Sequence, residues 1–359
     1  MRVAAIDLGS NAFRLLIAET LGPASFEPIL QEEMTIQLGK ASLLTGRLDP
    51  QSTARGLRSL DLLRRMAFAR GVERTVAVAT SAIREAENGE EFLQRARDEC
   101  GILVRIVSGR EEARLIHLAA SRHMDLQSGK SLLIDVGGGS VKLAIADAAK
   151  IYYSASTKLG FLRLLGRFVS SDPISRREVR ALTAFLRDSL VNPLANIRRH
   201  APGRIIVTGG SILSLLRLAH QRRSQVPSES ASSDRVTRDE VRQILSSLAA
   251  VPMVERIRQF DLDPLRAEYL PTALHTLFAI LDGLGAGEVA FCPVALREGL
   301  IYQLLGQTQP QPLIARAPGD SRFHAVMDLA GQCNYPVDHS HRVAHLAGLQ
   351  GRDLHRLHQ

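Results

Sequence analysis

The chain has 359 residues, a formal net charge of +8 and 45% hydrophobic residues, which is typical of a folded protein long enough for two domains. No apolar run approaches the roughly 20 residues of a membrane span, and with 4% aromatic residues and no tryptophan no nucleic-acid-binding stripe is expected. Three scattered cysteines, and a strand that begins at the N-terminus without a signal peptide, predict a reduced, cytoplasmic protein.

The first predicted element is an apolar strand that ends in an acid and a turn of small residues. Residues 3–8 are apolar except for Asp7, and a second strand is predicted at 13–18. Glycine lets backbone N–H groups converge on one point, and such turns bind phosphate oxygens. The candidate phosphate-binding turn between the two strands consists of Gly9, Ser10 and Asn11.

After a stretch at 38–48 that is expected to be a loop, a buried strand is predicted at 75–79. Arg84 follows this strand closely, and active-site groups often lie just past a strand end. The alternative for Arg84 is an ordinary surface arginine.

A further strand at 102–107 precedes a predicted helix start. Ser108 and Glu111 have the spacing of an N-cap residue and its capping partner. Glu112 is not needed for this cap and is therefore available to face elsewhere. The alternative for Glu112 is a second acid that complements the helix dipole.

The stretch at 132–143 repeats the pattern of the N-terminus. An apolar strand reaches Asp135, a glycine turn follows, and alternation of apolar and polar residues then resumes. Asp135 ends the buried strand and is a plausible ligand for a metal on a bound phosphate, whereas an ordinary hairpin with a structural aspartate is the alternative. The turn consists of Gly137, Gly138, Gly139 and Ser140.

A third turn of this kind follows the strand at 205–208, where Gly209 and Gly210 precede a helical run. Because the strand-acid-turn pattern occurs twice and a glycine turn three times, we expect two similar halves around a phosphate-binding cleft. The trio resembles the actin-like ATPase superfamily.

Four motifs resemble, in order and spacing, those of the exopolyphosphatase and guanosine pentaphosphate phosphohydrolase family. They lie at 7–11, 79–86, 107–113 and 135–140, and shorter pieces at 159–164, 208–210 and 296–299 agree. The resemblance covers about residues 1–305. It implies an α/β fold with two actin-like (ribonuclease H-like) domains flanking a phosphate-binding cleft, at 1–125 and 126–305. Residues 306–359 resemble a linker and a short helical tail, the truncated start of a helical HD-like domain.

The resemblance also implies hydrolysis of the terminal phosphoanhydride of polyphosphate or of guanosine pentaphosphate, with Mg²⁺. It implies catalytic roles for Glu112 and Asp135, and metal binding by Asp7 and Asp135. The expected phosphate-binding residues are Gly9, Ser10, Asn11, Arg84, Gly137, Gly138, Gly139, Ser140, Gly209 and Gly210, and Lys142 is added to them because a lysine can hold phosphate as a point charge.

Two positions depart from the family pattern. Lys142 stands where the family usually has a glutamate, and Ala12 stands where it usually has a serine. Side-chain alternation predicts that Lys142 shares the cleft face with Ser140. A lysine cannot hold Mg²⁺, although it can hold phosphate as a point charge. A catalytically weakened polyphosphate or alarmone binding protein is therefore the alternative function.

The expected partner is a polyanionic substrate, and neither nucleic acid nor a membrane is expected. Only five of the 45 basic residues are lysines, and the arginine excess fits either a polyanionic partner or a solvated surface. A homodimer is possible, because longer family members dimerise. A kinase of the same superfamily would need a nucleoside pocket and an acceptor site, and no sequence feature indicates either.

Overall fold

The computed structural model describes residues 1–22, 25–224 and 234–306. Their strands form two sheets, with helices packed around them. The strands are β1 (Arg2–Leu8), β2 (Ala12–Gly22), β3 (Ser25–Thr35), β4 (Arg74–Ala79), β5 (Val104–Ile106), β6 (Ser131–Val136), β7 (Val141–Ala146), β8 (Ile151–Thr157), β9 (Arg204–Thr208), β10 (Arg235–Thr237) and β11 (Glu288–Cys292). The helices are α1 (Gly39–Thr45), α2 (Pro50–Ala69), α3 (Ser81–Arg84), α4 (Gly89–Cys100), α5 (Gly109–His123), α6 (Phe161–Phe168), α7 (Arg176–His200), α8 (Gly210–Ser224), α9 (Arg238–Ala249), α10 (Met253–Phe260), α11 (Pro264–Leu284) and α12 (Leu296–Gly306). The predicted tail beyond residue 306 lies outside the described residues.

The two sheets repeat one topology. The first sheet has the order β3-β2-β1-β4-β5, with antiparallel pairing from β1 to β3 and parallel pairing from β1 to β5. The second sheet has the order β10-β11-β9-β6-β7-β8, in which β8-β7-β6-β9-β11 repeats the first sheet and β10 is added at the edge. The two similar halves that were predicted from the repeated turns are therefore present.

The repeat extends to individual residues at the strand ends. In the first sheet Asp7 of β1 lies opposite Arg14 of β2, and in the second Asp135 of β6 lies opposite Lys142 of β7. Residues directly opposite each other on antiparallel strands present their side chains on the same face. Each half therefore places one acid and one base side by side at the end of its central strand.

Helix α5 packs against both sheets, and helix α12 packs against the first sheet and against α5. Helix α5 buries Leu115 with the first sheet, and it buries Ala113 and Ala119 with the second. Helix α12 follows the last strand of the second sheet, yet it buries Leu300 and Ile301 against β1, β2 and β4 of the first. The domain boundaries at 125 and 305 stay predictions. Helix α12, which contains residue 305, packs on the sheet formed by the N-terminal part of the chain.

Helix α1 lies where the sequence predicts a loop. The N–H of Gly39 donates to the carbonyl of Ser10 at 2.7 Å, and Leu43 is buried. The helix also contacts α6. The prediction of a loop was wrong because these contacts with distant parts of the chain stabilise a seven-residue helix that has weak local signals.

Helix α11 is largely buried, because it packs against α6, α7 and α9. Within the described ranges, no helix combines the length and the apolar character that crossing a membrane requires.

Candidate active site

The candidate phosphate-binding turns of the two halves have the same internal hydrogen bond. The N–H of Gly9 donates to the carbonyl of Ala12 at 3.1 Å, and the N–H of Gly137 donates to the carbonyl of Ser140 at 3.0 Å. The first turn joins β1 to β2, and the second joins β6 to β7. The structure therefore repeats the turn as well as the sheet.

The two turns meet face to face. A methyl group built on Gly139 would lie 2.3 Å from Ser81 Oγ and 2.8 Å from Ser10 Oγ, and the two serine oxygens are themselves 3.0 Å apart. On its other side the second turn is held by α6, whose residues Phe161 and Leu162 donate their N–H groups to the carbonyls of the turn. Only a glycine at 139 allows this approach.

The third turn, at Gly209 and Gly210, lies against Asp135 at the end of β6. Gly209 has a φ of +90°, and a methyl group on it would lie 2.6 Å from Asp135 Oδ1. Such a φ is rare for residues with a side chain. The glycine therefore serves both the turn and the close approach to the aspartate.

A cavity of about 150 Å³ lies between the turns. Among the predicted site residues, all except Arg84 and Ser140 line it. The residues that the sequence predicted are therefore brought together, while their individual roles stay predictions. The residues that line the cavity but were not predicted as site residues include the polar side chains of Arg14, Gln31, Glu33, Thr80, Ser81, Arg297 and Glu298.

Among the carboxylates that line the cavity, those of Asp7 and Glu112 are buried and that of Asp135 is partly buried. Burial raises the pKa of Asp7 to about 6, although Arg14 opposes this shift. Burial also raises the pKa of Asp135, with Lys142 opposing. Both effects follow from removing a charge from water, which disfavours the ionised form.

Lys142 is the cation closest to Glu112 and Asp135. Its Nζ lies 2.6 Å from Glu112 Oε2 and 3.4 Å from Asp135 Oδ2, and the residue is 7% exposed. Burial alone would lower the pKa of Lys142, but the charges of Glu112 and then Asp135 outweigh it and raise the pKa well above its usual value. The side chain is therefore an ammonium, and it shares the cleft with the glycine turns as predicted.

Arg84 contacts Glu112 but does not line the cavity. Its Nη1 donates to Glu112 Oε1 at 2.8 Å and to the carbonyl of Val107 at 2.5 Å. Arg84 and Lys142 thus bind the two different oxygens of one carboxylate. Their contacts fix the Glu112 side chain from both sides.

The helix start that carries Glu112 has the predicted N-cap. Ser108 Oγ accepts a hydrogen bond from the Glu111 N–H at 3.1 Å. The Glu111 side chain pairs with Arg105 at 2.7 Å and points away from the cavity that Glu112 lines. The N-cap residue was predicted correctly, but the return bond of the Glu111 side chain to the N-cap backbone is not formed, since that side chain pairs with Arg105 instead. The two neighbouring acids still have separate positions, and only Glu112 lines the cavity.

Arg14 is the functional candidate that the sequence reasoning missed. Its Nη1 lies 3.8 Å from Asp7 Oδ2, and its Nε and Nη2 donate to Glu33. The signal for it was present, because alignment of the two halves on their aspartates places Arg14 where the second half has Lys142.

The oxygen ligands of the cleft fit a divalent cation only in part. Asp7 Oδ1 and Asn11 Oδ1 are buried without a hydrogen-bond partner, and oxygens of this kind suit a hard cation. Both oxygens of Glu112 and one of Asp135 already face basic groups. Among the described residues, no group of three or more histidine, cysteine, aspartate or glutamate side chains is placed to hold a metal.

Comparison with known proteins gives one consistent result. The model of the Ppx/GppA phosphatase family matches residues 16–308. Exopolyphosphatase 1 of Mycobacterium tuberculosis is 28% identical over 306 residues, which are 85% of this chain and 88% of that protein. An uncharacterised protein of Streptomyces coelicolor is 30% identical over 310 residues, which are 84% and 90% of the two chains.

Solved structures agree on the fold. An exopolyphosphatase from Cytophaga hutchinsonii superposes with a TM-score of 0.78 at 24% identity, over 85% of this chain and 98% of that one. The Ppx/GppA family member from Aquifex aeolicus superposes with a TM-score of 0.70 at 26% identity, over 86% of this chain and 99% of that one. The predicted α/β fold with two actin-like domains is thereby confirmed.

Proposed function

Because this chain belongs to the Ppx/GppA phosphatase family, we propose that its cleft releases the terminal phosphate of inorganic polyphosphate by hydrolysis. The protein is a hydrolase that acts on phosphoanhydrides. Guanosine pentaphosphate, which ends in the same kind of bond, is the second substrate to be tested.

The observation that supports this proposal is the convergence of three glycine turns and of the side chains of Asp7, Glu112, Asp135 and Lys142 on one small cavity. Its volume of about 150 Å³ is well below the roughly 300–1,000 Å³ of a pocket for a drug-sized ligand. A terminal phosphate suits such a space better than a nucleoside does, which favours a phosphatase over a kinase.

The contacts of Glu112 support a role for it in activating water. In the substrate-free protein Lys142 binds Glu112 Oε2, and an entering phosphate oxygen competes for that ammonium. Oε2 is then available to accept a proton from a water molecule. The water oxygen bonds to the terminal phosphorus, the bridging P–O bond breaks, and the shortened chain leaves with its electron pair on oxygen.

The family suggests a divalent metal in general, and we propose Mg²⁺ as the ion. Asp7, through its unpartnered Oδ1, and the Asp135 oxygen that faces away from Lys142 would hold it together with phosphate oxygens of the substrate. When bound, a divalent cation neutralises charge on the phosphate groups.

Arg84→Ala is expected to lower kcat by about tenfold or more and to change KM less, because the guanidinium orients Glu112 through its bond to Oε1. The measurement is the rate of phosphate release from polyphosphate across substrate concentrations. Arg105→Ala is the matched control, since this exposed arginine binds Glu111 instead. A raised, salt-dependent KM with an unchanged kcat would instead assign Arg84 to phosphate binding alone.

The proposed function is tested by phosphate release from long-chain polyphosphate and from guanosine pentaphosphate, with and without Mg²⁺. We expect release of orthophosphate from the first substrate, and Glu112→Gln serves as the inactive reference. Tight binding of both substrates without any release would support the binding-protein alternative and overturn the proposal.

A further inference from the structure

The contacts of Lys142 lead to an inference about which cation resides in the cleft. Its ammonium lies within 3.4 Å of two carboxylates from different elements, Glu112 on α5 and Asp135 on β6. A cation that bridged these two carboxylates would have to occupy the same place. The lysine is fixed there because β7 sets it opposite Asp135 in the ladder.

Other groups of the protein lie next to the ammonium and the carboxylates. Gly137 lies beside the ammonium, since a methyl group built on it would be 3.4 Å from Lys142 Nζ. On the far side of Glu112, Arg84 occupies Oε1. The carboxylate pair is thus enclosed by two basic side chains of the protein itself.

Asp7, Glu112 and Asp135 each have a basic side chain of the protein beside them, and Lys142 serves two of the three. Asp7 has Arg14 within 3.8 Å, Glu112 has Arg84 and Lys142, and Asp135 has Lys142. Buried charges are costly unless they are paired, so this pairing accounts for three carboxylates in one small cavity. A divalent cation between Glu112 and Asp135 would add a like charge beside Lys142 and would be repelled.

We infer that the Lys142 ammonium is the resident counter-ion between Glu112 and Asp135, and that it keeps divalent cations out of this position in the substrate-free protein. The inference rests on the proposed function in one respect, because the same ammonium meets the terminal phosphate when substrate enters. The positive charge at this position therefore belongs to the protein and does not depend on the metal concentration.

The test is Mn²⁺ binding to the substrate-free protein, measured from the electron paramagnetic resonance signal of free Mn²⁺. We expect weak binding to the wild type and at least about tenfold tighter binding to Lys142→Met, since a neutral side chain of similar length opens the position between the carboxylates. Adding Glu112→Gln to Lys142→Met is expected to remove the gain, because Glu112 belongs to this position and not to the one proposed between Asp7 and Asp135. Lys150→Met, at an exposed lysine, is the matched control and is expected to bind as the wild type does.

Equal Mn²⁺ affinity of the wild type and Lys142→Met, within about twofold, would overturn the inference. If Lys142→Met does not fold, the wild type decides alone: tight binding that Glu112→Gln abolishes would overturn the inference, and the absence of such binding would support it. The measurement involves no substrate, so its result is separate from the outcome of the hydrolysis assay.

Discussion

Glu112→Gln is expected to reduce phosphate release from polyphosphate by about 10²–10⁴-fold while substrate affinity changes by only a few-fold. The amide keeps the size of the side chain and loses the group that accepts a proton from water. It also loses the negative charge between Arg84 and Lys142, so thermal unfolding of the variant should be recorded beside the kinetics.

Glu111→Gln is the matched control for this variant. The two glutamates are neighbours on the same helical turn, but the Glu111 side chain pairs with Arg105 at 2.7 Å and does not line the cavity. We expect its activity to stay near that of the wild type. An inactive Glu111→Gln together with an active Glu112→Gln would show that the catalytic assignment is wrong.

The second large effect is expected for Gly139→Ala, which should lower phosphate release by at least about 10²-fold. The added methyl group would lie 2.3 Å from Ser81 Oγ, so the second turn would have to move away from the first. That movement is itself blocked, because the backbone of Gly160 lies directly against the second turn. A misplacement of about 1 Å in an active site can cost 10²-fold in rate.

Gly203→Ala is the control for this second variant, because a methyl group on Gly203 would meet nothing within 4 Å and the residue is exposed. The measurements are kcat, KM and the melting temperature of each variant. Gly139→Ala with normal kinetics and a normal melting temperature would mean that the close approach of the two turns is not needed for activity.

The sequence predicted those parts of the site that depend on local pattern. A strand followed by an acid and a glycine turn is a local signal, and it identified Asp7, Asp135 and their turns. The cap spacing separated Glu112 from Glu111 in the same way. These features were predictable because neighbouring residues determine them.

The features that the sequence did not predict are contacts between distant segments. Helix α1 depends on Ser10 and α6. The link from Arg84 to Glu112 spans 28 positions, and that from Lys142 to Glu112 joins a strand of one sheet to a helix between the sheets. Periodicity and spacing carry no information about which distant side chains meet, so these pairings required the folded structure.

The return of α12 to the first sheet determines the order in which this chain can complete its fold. Arg297 donates to the carbonyl of Leu15 across 282 positions, and Leu300 and Ile301 bury one face of a sheet whose strands all lie within the first 106 residues. During synthesis that face stays uncovered until nearly all of the described chain has been made. Contacts so far apart in sequence slow folding and prolong the exposure of apolar surface. We therefore expect the first half, expressed alone, to aggregate rather than to fold as an independent unit.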